Sequence, residues 1–499
     1  MKKHQLFCIL ILFWAYENAH AQPSALDQSF ADNGIAAYSI PLQNTLTSAK
    51  CSMQQADGKI ILGVRMDGFG GLVRLNADGS LDNSFGIDGK ILYGGNNVLF
   101  YDGLIQPDGK IVVTGNSGSD ILVLRYNANG SADNSFDGDG EVTINFGSYS
   151  YGRSVALQPD GKIVVAGYAG NAGENFYAVA RLNSNGSPDN NFDADGQKQF
   201  SVGAEKNDIA NSVFIQSSGK ILIAGVSFIG SDYDFSAVRL KTDGSFDETF
   251  SGDGKYVFQI QTGTNDIAVS IAGTTDGKIV IGGYTGGDEN DDFALVRLTD
   301  NGTFDNTFNK NGKTIIPIGT NVDVASDMAI QTDGKILLCG YSYVSGLSYE
   351  FSVIRIKNNG KLDANFGSDG EQIISLTDKP DFCYSMSLLA NGKIFLAGAS
   401  GNPATLKIAK TAIAVYQNYS AAQLNSNGSI DNSFDGDGKN IYATGNYDDA
   451  ANASGIDANG NIMLAGGSQL NAQYTVASAI KLKPNGNTNN NFDADGKLL

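Results

Sequence analysis

The residues able to do chemistry in this chain are mostly carboxylates, and they recur in similar settings. Asp133, Ser135, Asp137 and Gly138 follow the spacing of the first half of a calcium-binding loop, but the twelfth position is Ile144 instead of the required Glu. The position after the neighbouring Phe changes between copies (Gly86, Asp137, Ser251, Asn309, Gly367), and a recurring metal site would keep its ligand there. The densest acidic cluster is Gly286–Asp292, where Asp288, Glu289, Asp291 and Asp292 are candidate ligands for a cation such as Ca2+, the one cofactor entertained. Asp234 and Glu350 occupy the place of Asp292 in other copies, so a solvated acidic loop is the plainer expectation. The segment 400–416 carries Lys407, Lys410 and Tyr416 amid Ile, Ala and Val. In an acidic chain this is a candidate ligand contact, set against a merely tolerated insertion.

Histidine chemistry is confined to the first residues. Lys2 and Lys3, an apolar run from Leu6 to Tyr16 and Ala19-His20-Ala21 have the form of a cleaved secretory signal over residues 1–21. The run is too short to span a bilayer, so no membrane span is expected after cleavage. Both histidines, His4 and His20, and the only tryptophan, Trp14, lie in that segment. Residues 22–499 therefore hold no Ser-His-Asp or Cys-His device and no His metal ligand. Secretion, or residence in the periplasm or on the outer surface, is the expected location.

The net charge of -19 excludes a basic face for nucleic acid or anionic lipid. Hydrophobic residues at 41% allow a real core, and 62 Gly against 9 Pro point to many turns.

Those turns are periodic. An Asp/Asn/Ser-Gly-Lys motif starts at Asp57, Asp108, Asp160, Ser218, Asp276, Asp333 and Asn391, and Asn459-Gly460-Asn461 is its eighth form. The mean step is about 57 residues. A second motif, Asp-x-x-Phe, ends at Phe30, Phe85, Phe136, Phe192, Phe250, Phe308, Phe366, Phe434 and Phe492. One unit reads as strands at 141–146, 153–158, 162–167 and 175–182, with a turn-rich connection over 183–196. Four short strands per unit, eight units and no helical period predict an all-β fold, a β-propeller of eight four-stranded blades. An open β-solenoid or two smaller propellers are the alternatives. Residues 34–40 and 496–499 are expected strands, one of which would complete a blade begun at the other end.

The segments LQPDGKIVVAG at 157–167 and RLNSNGSPDNNFDADG at 181–196 resemble the delta-60 repeat family of bacterial proteins. The resemblance runs over 22–499 and implies a single propeller and a secreted or surface protein. It implies no reaction. The departures at Ser217-Ser218-Gly219 and Asn459-Gly460-Asn461 keep their turn glycines.

Repetition separates scaffold from site. Arg74, Arg125, Arg181, Arg239, Arg297 and Arg355 form one column, completed by Gln423 and Lys481, and the Asp eight residues further on forms another. Each Arg is expected to fasten a connection between blades, against the alternative of a charged ring facing a ligand. Each Phe is expected to fill a buried socket worth about 2 kcal/mol. Cys51, Cys339 and Cys383 stand where other units have Ser or Ala, and Cys339 and Cys383 are near enough in the repeat to pair.

Three functions fit. The first is a non-catalytic binding or scaffolding monomer contacting a protein or glycan through variable loops. The second is a structural or adhesive surface protein. The third is a carboxylate-dependent glycosidase or lyase. For the third, Glu141, Glu174, Glu205, Glu248, Glu289, Glu350 and Glu371 form no pair that stands out by spacing.

Overall fold

The strands predicted from the repeats assemble into eight antiparallel sheets of four strands each. The computed structural model describes residues 48–498 apart from short segments, the longest being 76–81, 403–415, 443–448 and 486–496. Blades 1 to 8 have inner strands Ser48–Gln54, Val98–Ile105, Tyr149–Leu157, Asp208–Ile215, Asn265–Gly273, Asp323–Ile330, Asp381–Leu388 and Asp449–Ile456. Each inner strand packs on the next, and that of blade 1 packs on that of blade 8, so the ring closes. One eight-bladed propeller replaces the solenoid and two-ring alternatives. No helix among the described residues is long and apolar enough to cross a membrane.

The boundary between units differs from the sequence expectation by one strand. Blade 3 runs Tyr149–Leu157, Ile163–Asn171, Glu174–Leu182 and Gln197–Phe200, while Glu141–Ile144 is the outer strand of blade 2. The long connection 183–196 looks like a boundary in sequence but folds back on its own blade. Asp189 N donates to Arg181 O at 3.0 Å, and Arg181 N donates to Gly196 O at 2.8 Å. At the C-terminus, Lys497–Leu498 pairs with Tyr474–Leu482 and completes blade 8 itself. Blade 1 is complete over 48–93, so no blade is shared between the chain ends among the described residues; the strand expected at 34–40 lies outside them.

The non-alternating run Ile163-Val164-Val165 is fully buried on both faces, as expected of a strand covered by blades on either side. Strand order also defines two faces. Connections from first to second and third to fourth strands share one face. Those from second to third strand, and from blade to blade, share the other.

Candidate functional site

The Arg, Asp, Lys and Phe columns meet on the first of these faces. In blade 4, Arg239 Nε donates to Asp247 Oδ2 at 2.6 Å, and Lys220 of the Ser-Gly-Lys turn reaches the same oxygen at 2.8 Å. Arg239 Nη1 donates to the Asp300 carbonyl of blade 5, and its guanidinium carbon lies 5.1 Å from the centre of the Phe250 ring. Arg239 and Phe250 are both fully buried. The same Arg–Asp pair, with a turn Lys on the same carboxylate, recurs with Arg74, Arg125, Arg181, Arg297 and Arg355. In blade 7, Gln423 and Lys393 both hold Asp431. Phe85, Phe136, Phe192, Phe308, Phe366 and Phe434 are likewise fully buried. Burial alone would raise the Asp247 carboxyl. Hydrogen bonds from Lys220 and Thr249, with the Arg239 charge, outweigh it and hold the group well below the usual carboxylate range.

The variable residue after each Phe has a backbone role. Asp137, Asp193, Ser251 and Asn309 take φ of 52°, 49°, 53° and 46°, and Gly86 and Gly367 take 56° and 54°. Only a left-handed conformation is required there, which Gly, Asn and Asp supply most readily. Its N–H then donates to the next blade, as Ser251 N does to Asn301 O at 2.8 Å. Asp133, the start of the calcium-like spacing, accepts from Ser135 N and Oγ with one oxygen and from Arg125 with the other.

On the opposite face, Asp208, Asp323 and Asp381 open the inner strands of blades 4, 6 and 7, and Asp266 is the second residue of that of blade 5. Each accepts backbone N–H groups from the connection before it: Asp208 from Val202 at 2.9 Å, Asp323 from Ile318 at 2.7 Å and Asp381 from Leu376 at 2.7 Å. Burial raises all four. A second carboxylate faces this column from the preceding blade. Asp234, 2% exposed, is pushed up to about 7 by burial and then by Asp266 and Asp232, with Gln259 and Lys313 opposing. Asp292, half-buried, is pushed up to about 6 by burial and then by Asp323.

Asp234 gives a pH prediction. An unfolded Asp titrates near 3.9, so between about pH 4 and 7 the fold binds a proton that the unfolded chain has released. Stability from this group is present below about pH 4 and is lost as pH rises through 7. Asp234→Asn removes that loss, so the variant is expected to melt higher than the parent at pH 8 and equally at pH 4. Thermal midpoints across that range test it, and parallel curves for the two proteins refute it.

Of the loop residues predicted to hold a ligand or cation, Asp288, Glu289, Lys407 and Lys410 lie outside the described residues. Asp291 accepts Asp323 N through its backbone carbonyl at 2.6 Å, and Asp292 is in register with Thr285 at the edge of the loop. Tyr416 begins the third strand of blade 7, in register with Asn402. Both loops join second to third strands, one strand earlier in the blade than the sequence frame implies. Among the described residues no three Asp, Glu, Cys or His side chains converge as a metal would require. Cys339 and Cys383 meet across the junction of blades 6 and 7 as buried thiols, and burial pushes the Cys339 thiol up. The Arg–Asp–Phe face also holds a cavity of about 670 Å³, lined by Ile215, Met328, Ile330, Met386 and Leu388. The one carboxylate in its lining, Asp327, is pushed up to about 7 by burial. It ties blade 6 to blade 7 by accepting Met328 N at 2.8 Å and Met386 N at 2.9 Å.

One column was missed by the sequence reading. Every inner strand has a bulge, and the bulged residues are Lys50, Tyr101, Arg153, Asn211, Val269, Ser326, Tyr384 and Asn452. The signal available was variability itself. This position ranges over Lys, Tyr, Arg, Asn, Val and Ser among the blades, while the positions beside it are small or acidic except at Phe100.

Fold and site together define an eight-bladed propeller whose recurring charges fasten blade to blade. Segments 55–85, 106–136, 158–192, 216–250, 274–308 and 331–366 match a family described as "Domain of unknown function (DUF5122) beta-propeller". Each match ends on the Phe of the clamp, and together the matches support a bacterial β-propeller repeat family. No curated protein matches the chain. Among solved structures, an ulvan lyase is similar at 11% identity and a TM-score of 0.40, over 77% of this chain and 91% of its own. A gluconolactonase from Xanthomonas campestris is similar at 11% and 0.31, over 59% and 84%. A protein from Lactobacillus plantarum is similar at 11% and 0.36, over 66% and 88%. Likeness at this level concerns the fold and carries no activity to this chain.

Proposed function

We propose that this protein is a non-catalytic binding or scaffolding propeller of the delta-60 repeat kind, exported by residues 1–21, that contacts a protein or glycan through its variable face. The observation that supports this reading is the use made of the recurring ionisable side chains. The Arg, Asp and Lys columns are spent on bonds within and between blades, so what differs between units is carried by the second-to-third strand loops and the bulges. A rigid ring presenting dissimilar loops suits recognition. A glycan array probed with the full chain, alongside turnover assays on polysaccharides and esters, tests it. Binding without turnover is expected. Turnover of any of these substrates would overturn the reading. Replacing 403–415 with a short Gly-Ser turn should weaken binding at least tenfold if that loop makes the contact, and unchanged affinity removes the loop from the account.

A further inference from the structure

Arg153 stands apart from the arginines of the clamp. The six clamp arginines each hold an Asp carboxylate. Arg153, in a chain with net charge -19, has no ion pair among the described residues, and its Nε is buried without a hydrogen bond. It is the bulged residue of the blade 3 inner strand: the register steps from Ala166–Ser154 to Gly167–Gly152 and passes over it. A bulge re-aims the side chain it carries, and since all eight inner strands have one, it is the residue at this position that sets blade 3 apart.

Its surroundings are aromatic. The guanidinium carbon lies 5.3 Å from the ring centre of Tyr101, the bulged residue of blade 2, and 5.4 Å from that of Tyr168. Tyr168 stacks on Tyr151 with centroids 5.0 Å apart, and Tyr149 lies 6.1 Å beyond. All five side chains are partly exposed, so the cluster is open to solvent. Arg153 is the one arginine among the eight bulge residues, the others being Lys50, Tyr101, Asn211, Val269, Ser326, Tyr384 and Asn452.

We infer that Arg153, with Tyr101, Tyr151 and Tyr168, is a binding site for a saccharide carrying a single carboxylate, such as an isolated uronate on a neutral chain. The planar guanidinium fork matches a carboxylate, and a buried donor without a partner favours a ligand that supplies an acceptor. Flat tyrosine faces with phenolic edges suit a ring that is apolar on its faces and polar at its rim. The ligand must carry little charge. One cation in a strongly acidic protein balances one anion, whereas a polyphosphate or nucleic acid would be repelled. This rests on the reading of the protein as a binding propeller and names the ligand for it.

The test is calorimetric titration of the full chain with xylotriose bearing one glucuronate branch, with the methyl ester of that branch, and with acetate. The free acid is expected to bind, the ester and acetate at least tenfold more weakly. Arg153→Gln should lower affinity for the acid at least tenfold while lowering the melting temperature only slightly, because among the described residues the guanidinium makes no hydrogen bond or ion pair and loses only its ring contacts with Tyr101 and Tyr168. Arg153→Lys should recover only part of the loss, and Tyr151→Ala should weaken acid and ester alike. Equal affinity for acid and ester, an Arg153→Gln protein that binds as the parent does, or no binding of the acid overturns the site and leaves the binding-propeller reading standing. Cleavage of the oligosaccharide during titration overturns that reading instead.

Discussion

Asp247→Asn is expected to destabilise the ring by about 3–5 kcal/mol, although it removes one charge and keeps the shape. The size follows from what the carboxylate leaves behind. Arg239 is fully buried and cannot rehydrate, and Asp247 Oδ2 is the anion its Nε contacts at 2.6 Å. Lys220, about a third exposed, turns to water at little cost. The control lies on the same guanidinium. Asp300 contacts Arg239 Nη1 at 2.8 Å, but its side chain is 65% exposed. Asp300→Asn is therefore expected to cost under about 1 kcal/mol, as exposed ion pairs do. Urea denaturation of the two variants separates them. Similar midpoints would mean that the clamp is not the fastening its burial implies. Replacing both partners, Arg239→Met with Asp247→Leu, should cost less than Asp247→Asn alone, since no buried charge is orphaned.

The clamp was legible because it repeats. Arg239, Asp247 and Phe250 recur at fixed spacing, and a side chain needed in every blade is more simply a fastening than a catalyst. The blade boundary was not legible. Connection length misplaces it, and only the hydrogen bonds of Asp189 and Gly196 back to Arg181 show that 183–196 lies inside a blade. The residue after each Phe varies in type because what is needed there is a positive φ, a backbone property that Ser251 and Asn309 do not announce. The Asp234–Asp266 pairing joins residues on different blades, which no local spacing records. Arg153 was passed over because its only mark in the sequence is that the position varies between blades, which does not by itself reveal a bulge. Without the register, Arg153 reads as the first residue of the strand at 153–158, and only the pairing with 163–170 shows that the ladder passes over it.

The wedge between blades 4 and 5 carries the other large effect. Phe250→Ala is expected to cost about 3–5 kcal/mol, because the ring is fully buried and the junction around it is rigid. The floor of its socket is Gly302 of blade 5, at a φ of 81°. A Cβ there would stand 2.7 Å from Phe250 Cδ2 and 2.8 Å from Ser251 N. Gly302→Ala therefore meets an aromatic ring, a backbone nitrogen and a backbone conformation hostile to L side chains, and should cost more than about 1 kcal/mol. The two changes must interact. With the ring gone, a methyl group at 302 enters space that Phe250 vacated, so Gly302→Ala should cost less in the Phe250→Ala protein than in the parent. The saving stays partial, since the Ser251 nitrogen and the positive φ remain. A double-mutant cycle measured by chemical denaturation reads this coupling directly. Strict additivity would show that the methyl group and the ring do not compete for one socket. The Phe column would then be held by something other than the glycine turn of the neighbouring blade.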